Sequence, residues 1–310
     1  MKRSILVCLI GVLALLLCFL LLLCGILFQE QPTQPVLSTA PAESLQTQPT
    51  ASAVTKPSTR ETTSLPDPDN EYIGALYTRM ELHALENENR GYGPGKTSGG
   101  ARPPYAQAEQ QTYSDFGANF IAPDNGGIYH TFDCGYEYQN LTASILDTLK
   151  EKNVKAVFFI TMSYAMKNPA LVQRMIDEGH TVGNHSNSHR EMPELTVDEM
   201  AWEVRSLHTF VLEHFGYEMT LFRPPTGAFS TRSLATVQSL GYKTVHWSFA
   251  YVDWDPDDQP DATTALNKIT SSHHSGAIYL LHAVSETNAV VLGDVIDYFQ
   301  AQGYELKLFA

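Results

Sequence analysis

From Gly127 to the C-terminus, short apolar runs alternate with amphipathic stretches of helical period. The run "GIYHTFD" (127–133) reads as a strand, and the "LTASILDTLKEKN" that follows places Leu141, Ile145, Leu146 and Leu149 on one helical face. The alternation continues through a strand at 154–160, a helix at 169–179, a strand at 180–186 and a long helix at 196–216. Thr196 and Glu199 form a capping-box pattern at the start of that long helix. Strands at 220–225, 242–249, 277–283 and 304–309 are separated by helices at 230–241, 262–273 and 288–303. Strands alternating with helices predict an α/β fold with a parallel sheet and right-handed crossovers. Seven such strands fit a (β/α) barrel or near-barrel better than an open sheet.

Upstream the pattern changes. Residues 5–28 are an uncharged apolar run behind Lys2 and Arg3, long enough to cross a hydrocarbon core as a helix. A signal peptide has a shorter apolar stretch and a small-residue cleavage site, and none follows Phe28. Residues 1–30 are therefore expected to be a transmembrane anchor or uncleaved signal, with the basic tip in the cytoplasm and the remainder outside. Residues 31–70 are rich in Thr, Ser, Pro and Gln and cannot bury enough apolar surface to offset chain entropy, so a disordered linker is expected. Residues 71–126 include the Gly/Pro-rich "NRGYGPGKTSGGARPPY" and are expected to wrap the barrel (127–310) as irregular chain. These boundaries predict a single-pass protein of the cell membrane with its catalytic domain on the wall side.

Charge and cysteine content narrow the classes. The chain carries a formal net charge of −14, which argues against a nucleic-acid or anionic-lipid surface. Three of its four cysteines (Cys8, Cys18, Cys24) fall in the apolar run, leaving Cys134 with no disulfide partner in the outer part.

In parallel α/β folds, ligands bind at the carboxyl ends of the strands. Here the unusual polar residues gather at those ends. Asp133 ends the first strand, His185 and His189 follow the third, Arg223 ends the fourth, Asp253 follows the fifth and His282 ends the sixth. The four-residue spacing of His185 and His189 lets two imidazoles chelate one divalent ion on a helical turn, the alternative being a pair of solvent-facing histidines. His282 is either a core histidine or, exposed in a cleft, a proton donor near neutral pH. Asp253, otherwise a turn residue, would hold that ring protonated. Arg223, fixed by the prolines of "RPPTG", would grip a carboxylate or form a surface ion pair.

The stretches "TFDCGYE", "GNHSNSH", "RPPTGAFS", "AYVDWD" and "YLLHAVS" occur in the order of the five motifs of the polysaccharide deacetylases, the NodB-homology carbohydrate esterases of family four. The likeness is closer to the delta-lactam-biosynthetic, PdaA-like de-N-acetylase branch, and runs from about Gly91 to the C-terminus. The resemblance implies a distorted seven-stranded (β/α) barrel that removes N-acetyl groups from a sugar by hydrolysis. It implies Asp133 as general base, His185 and His189 as ligands of a divalent metal such as zinc, and Arg223 as the residue orienting Asp133. It also implies the Thr226 backbone N–H at the oxyanion and His282 as proton donor supported by Asp253. Most family members carry a second aspartate, the third metal ligand, where Cys134 stands, while this branch often has asparagine. Cys134 would either ligate as a thiolate or merely fill space. The implied partner is the peptidoglycan strand. The implied reaction is deacetylation of N-acetylmuramic acid on the route to the muramic delta-lactam of spore cortex. The alternatives are N-acetylglucosamine deacetylation and a catalytically dead wall-binding module.

Overall fold

The computed structural model of the chain describes residues 74–309; the expected anchor and linker lie outside the described residues. Among the described residues no helix is long and apolar enough to cross a membrane.

The segment expected to be irregular holds two α-helices, a 3-10 turn (Ser114–Phe116) and a strand. Helix α1 (Arg79–Ala84) starts at Thr78, whose side chain and that of Glu81 cap each other's backbone N–H. Helix α2 (Pro104–Tyr113) opens on a proline at its first position, where no N–H is required. Strand β1 (Ala118–Asn119) then pairs with residues 244–245. The glycine- and proline-rich stretch between α1 and α2 is irregular, because its composition supports neither period, and so are residues 120–126 that lead into the next strand.

The barrel proper runs β2 (Gly127–Cys134), α3 (Leu141–Glu151), β3 (Val157–Ile160), α4 (Met162–Lys167), α5 (Pro169–Asp177) and β4 (Thr181–Asn184). It continues with α6 (Val197–Phe215), β5 (Leu221–Phe222), α7 (Thr231–Ser239) and β6 (Lys243–Val245). It ends with α8 (Ala262–Ser271), β7 (Ala277–His282), α9 (Glu286–Ala301) and β8 (Glu305–Leu306). Both halves of the Thr196–Glu199 capping box form, and Gly216 closes α6 in the left-handed region. Helix α4 was not expected; Thr161 caps it directly after β3.

Every strand pairing in the sheet is parallel, in the order β1-β6-β5-β4-β3-β2-β7, with β8 beside the start of β2. Seven strands thus curl through a half-barrel. A single parallel bridge, Phe249 to Tyr279, links the chain beyond β6 to β7. Strands β5 and β6 are shorter than their sequence runs predict. Pro224 and Pro225 end β5, and residues 246–249 leave β6 to reach β7.

All eight residues of β2 are buried, so its two faces meet two different cores. Ile128, Phe132 and Cys134 pack outward with Ile145, Leu149 and Phe299 of the surrounding helices. Tyr129 lies on the inner side with Phe159, Leu221, Val245, Trp247 and Leu280. The period of two therefore sends Asp133 inward and Cys134 outward. In register, Asp133 stands between Phe159 on β3 and His282 on β7.

Candidate active site

At the carboxyl rim of the curl lies a cavity of about 1260 Å³ lined by Asp133, His185, His189, Thr226 and His282, among others. Of the residues that the sequence placed at separate strand ends, Asp133, His185, His189 and His282 share this one opening, while Arg223 and Asp253 lie fully buried behind it.

Asp133 is 7% exposed. Its Oδ1 accepts from the Arg223 guanidinium at 2.8 Å, and its Oδ2 lies 3.5 Å from His185 Nε2. Burial works to raise the carboxyl's pKa. Arg223, together with His185 and His282, outweighs burial and holds it below its ordinary value. His185 is itself neutral at pH 7, so Arg223 carries most of this effect there.

Arg223 is fully buried, and its guanidinium is fixed at every edge. Nε donates to the Val245 carbonyl at 3.0 Å, the third nitrogen to the His246 carbonyl at 3.1 Å, and Cζ lies 4.2 Å from the centre of the Phe159 ring. Phe159 can lie there because Gly183 opposes it; a Cβ on Gly183 would come within 2.4 Å of the ring. The alternative of a surface ion pair for Arg223 is thereby excluded. Burial lowers the guanidinium's pKa and Asp133 pulls it back.

His185 Nδ1 lies 2.8 Å from the Arg223 carbonyl oxygen. Nδ1 must carry the proton to make that bond, which leaves the Nε2 lone pair toward the cavity. Burial drives the His185 pKa down to about 4, with Asp133 opposing, so the ring is neutral at physiological pH. The ring of His189 lies 4.9 Å away, nearly perpendicular. The two do not meet on a helical turn as their spacing suggested. The chain leaves β4 into an irregular turn in which Ser186 and His189 both take left-handed backbone angles. Asn184 and Ser186 hold that turn by accepting from the N–H groups of Ser186 and His189.

His282 ends β7. Its Nδ1 lies 2.7 Å from Asp253 Oδ1, and its backbone N–H donates to Oδ2 of the same carboxylate at 2.9 Å. Burial would lower the ring's pKa, but the Asp253 hydrogen bond and charge outweigh it and raise the value. Asp253 is fully buried, so it is not an ordinary turn residue. Thr226 takes a left-handed backbone angle (φ 58°), and Gly227 beside it has φ 77° with Trp247 pressed against its missing side chain.

Cys134 does not join this group. It is fully buried in the outer core, and burial together with Asp133 and Glu137 pushes its thiol well above the ordinary range. Of the two roles open to it, space filling fits and thiolate ligation does not, because adjacent residues of a strand face opposite ways. Among the described residues, no group of three or more His, Cys, Asp and Glu is placed to hold a metal ion. The donors that fit a divalent cation are the imidazoles of His185 and His189, leaving further positions to solvent or substrate.

Two supporting residues escaped the sequence reading. Glu203 of α6 is buried and accepts from the Ser188 N–H at 2.7 Å and from the Ser188 hydroxyl, next to His189. Asn288 of α9 donates to Asp253 Oδ2 at 2.6 Å and accepts from the Tyr251 hydroxyl. An acidic or amide residue on the apolar face of a predicted helix was the available signal.

A family model described as polysaccharide deacetylase matches residues 121–245. Over 181 residues the chain is 42% identical to the peptidoglycan-N-acetylmuramic acid deacetylase PdaA of Bacillus subtilis, covering 58% of this chain and 68% of that one. It is 34% identical over 184 residues to the peptidoglycan-N-acetylglucosamine deacetylase PgdA of Listeria monocytogenes, covering 59% of this chain and 38% of that one. The solved structure of Bacillus subtilis PdaA, a family 4 carbohydrate esterase, superposes with a TM-score of 0.69 at 35% identity. That alignment covers 72% of this chain and 96% of the other.

Proposed function

This chain belongs to the polysaccharide deacetylase family, and from that premise we propose that it removes the N-acetyl group of N-acetylmuramic acid in peptidoglycan, in a metal-dependent hydrolysis on the wall side of the cell membrane. The observation that carries the proposal is the setting of Asp133: Arg223 on one oxygen, the His185 lone pair 3.5 Å from the other, and His282 as its register partner.

Asp133, kept ionised by Arg223, takes a proton from the water that attacks the acetamide carbonyl. His185 and His189 would hold the divalent ion, zinc in the first instance, which when bound supplies polarisation of that carbonyl. The Thr226 N–H would stabilise the oxyanion from the "RPPTG" turn. His282, whose protonated form Asp253 favours, gives its proton to the departing amine. A dead wall-binding module would have no use for this paired base and acid.

Muramic acid is preferred over glucosamine because the relative acting on it is matched at 42% identity, against 34% for the glucosamine deacetylase. Its deacetylated product would enter muramic delta-lactam formation in spore cortex. The apolar run at 5–28 and the polar stretch at 31–70 suit an enzyme tethered to the membrane and reaching into an insoluble wall.

The test is acetate release from peptidoglycan by the purified full chain, with and without a chelator, followed by mass spectrometry of the muropeptides. Release that stops with chelator and returns with zinc is expected, with the lost acetyl groups on muramic acid. Loss from glucosamine alone would reassign the substrate. No release with any divalent ion would end the deacetylase reading.

A further inference from the structure

The cavity wall carries two lysines that the reaction as described does not use, Lys96 and Lys268. They arrive from different directions. The segment 91–99 is a strap tied at both ends: Arg90 pairs with Phe229 on one side, and Gly100 bridges to His274 on the other. The Tyr92 hydroxyl fixes its near half by donating to the Trp247 carbonyl at 2.7 Å. Lys96 and Thr97 lie between the ties and line the cavity. Lys268 comes from α8, its ammonium 5.5 Å from the centre of the Tyr251 ring. Tyr251 donates to Asn288, which donates to Asp253, the carboxylate that holds His282. Lys268 is exposed on α8, and the ring beneath its ammonium is tied into the same frame as the proton donor.

The charges on this wall are unbalanced. Among the described residues, Lys96 and Lys268, like Lys155 and Lys167 elsewhere, have no carboxylate partner, whereas Lys150, Lys152 and Lys307 are each paired; Lys96 and Lys268 are the two that line the cavity. The one Asp or Glu lining the cavity is Asp133, already bound to Arg223. In a chain of net charge −14, two unpaired cations on the wall of one cavity form a local field that favours an anion.

We propose that Lys96 and Lys268 form a carboxylate-binding subsite, which selects glycan whose N-acetylated sugar carries an acid group close to the acetamide. The inference rests on the deacetylase reading and deepens it. The lactyl ether is what distinguishes muramic acid from glucosamine, so a carboxylate subsite is a means of telling them apart. The carboxylate comes from a peptide-free lactyl group or from a stem peptide attached to it.

Calorimetry on the full chain carrying Asp133→Asn, which prevents turnover, tests this with three ligands. They are an alternating N-acetylglucosamine–N-acetylmuramic acid tetrasaccharide with free lactyl carboxylates, the same glycan with lactyl carboxamides, and the same glycan bearing stem peptides. A carboxylate ligand is expected to bind about fivefold tighter than the carboxamide, the size of two partly exposed charge contacts, with the ratio shrinking as salt rises. Adding Lys96→Gln and Lys268→Gln should bring the ratio toward one, and adding Lys96→Arg and Lys268→Arg should keep it. Preference for the peptide-free or for the peptide-bearing glycan identifies the source of the carboxylate, and either supports the subsite. A ratio of one with both carboxylate ligands, or a ratio unmoved by the paired Gln changes, overturns it. Acetate release by the unsubstituted chain is scored separately, so failure of the chemistry and failure of the subsite are told apart.

Discussion

The Arg223 carbonyl oxygen lies 2.8 Å from His185 Nδ1, and the guanidinium of the same arginine donates to Asp133 at 2.8 Å. One residue orients the imidazole through its backbone and the carboxylate through its side chain. The two prolines behind it leave the backbone little freedom to separate these tasks. The lone pair of His185 and the charge of Asp133 therefore face each other as a consequence of where Arg223 sits.

Replacing Arg223 with methionine should leave Asp133 buried without its counter-charge, at a cost of about 3–5 kcal/mol at neutral pH. The sign with pH follows from the depressed carboxyl pKa. The stability this pairing contributes is present above the unfolded carboxyl's pKa and is lost as pH falls through the folded one. The gap between the parent and Arg223→Met should therefore narrow in acid. Without Arg223, burial dominates and the Asp133 pKa rises, so the acidic limb of kcat/KM moves to higher pH. Urea unfolding at pH 7 and pH 4, and a pH–rate profile, check both. An unmoved acidic limb would remove Asp133 as the base.

Asp253→Asn acts on the opposite limb. His282 owes its raised pKa to Asp253 against the lowering effect of burial, so the variant's ring should fall below the ordinary histidine value. A proton donor works below its pKa, so the basic limb of kcat should move to lower pH. The rate at pH 7 should drop by about 10²-fold or more. A basic limb that ignores Asp253 would mean that another group protonates the amine.

The strand ends were legible because a strand–helix alternation places every strand's carboxyl end on one rim, which gathers Asp133, His185 and His282 at one opening with Arg223 buried behind it. The side each residue faces was harder to read. The run ending at Asp133 left Cys134 outside the strand, and only the extension of β2 to Cys134 turns the thiol away. The spacing of His185 and His189 suits a helical turn beyond the strand at 180–186, whereas the left-handed angles at Ser186 and His189 make the turn irregular. Strand β1, two residues long, gives no periodic signal. Glu203 and Asn288 acquire meaning only when α6 and α9 pack against the rim, a relation between distant segments that local pattern does not carry.

Glu203→Leu should loosen the turn that carries His189. The carboxylate is buried and accepts from both the N–H and the hydroxyl of Ser188, and leucine offers neither bond. Residues that hold a ligand in place typically affect metal affinity by about 10–100-fold. Zinc titration by calorimetry should show a loss in that range, while the far-ultraviolet circular dichroism of the helices is kept. Unchanged affinity with normal folding would place Glu203 in the stability of α6 alone.

Cys134→Ala separates packing from ligation at the position where the family's usual third ligand is missing. The side chain is fully buried in the outer core with Phe132, Ile160 and Tyr164, and its raised pKa keeps it an uncharged thiol at neutral pH. Removing the sulfur should cost about 1 kcal/mol, or about 2–4 °C in Tm for a domain of this size. The divalent ion bound per chain should not change, since His185 and His189 face the other side of β2. Elemental analysis of parent and variant purified side by side decides it: an ion lost with the sulfur would make Cys134 a ligand and require the end of β2 to turn over when metal binds.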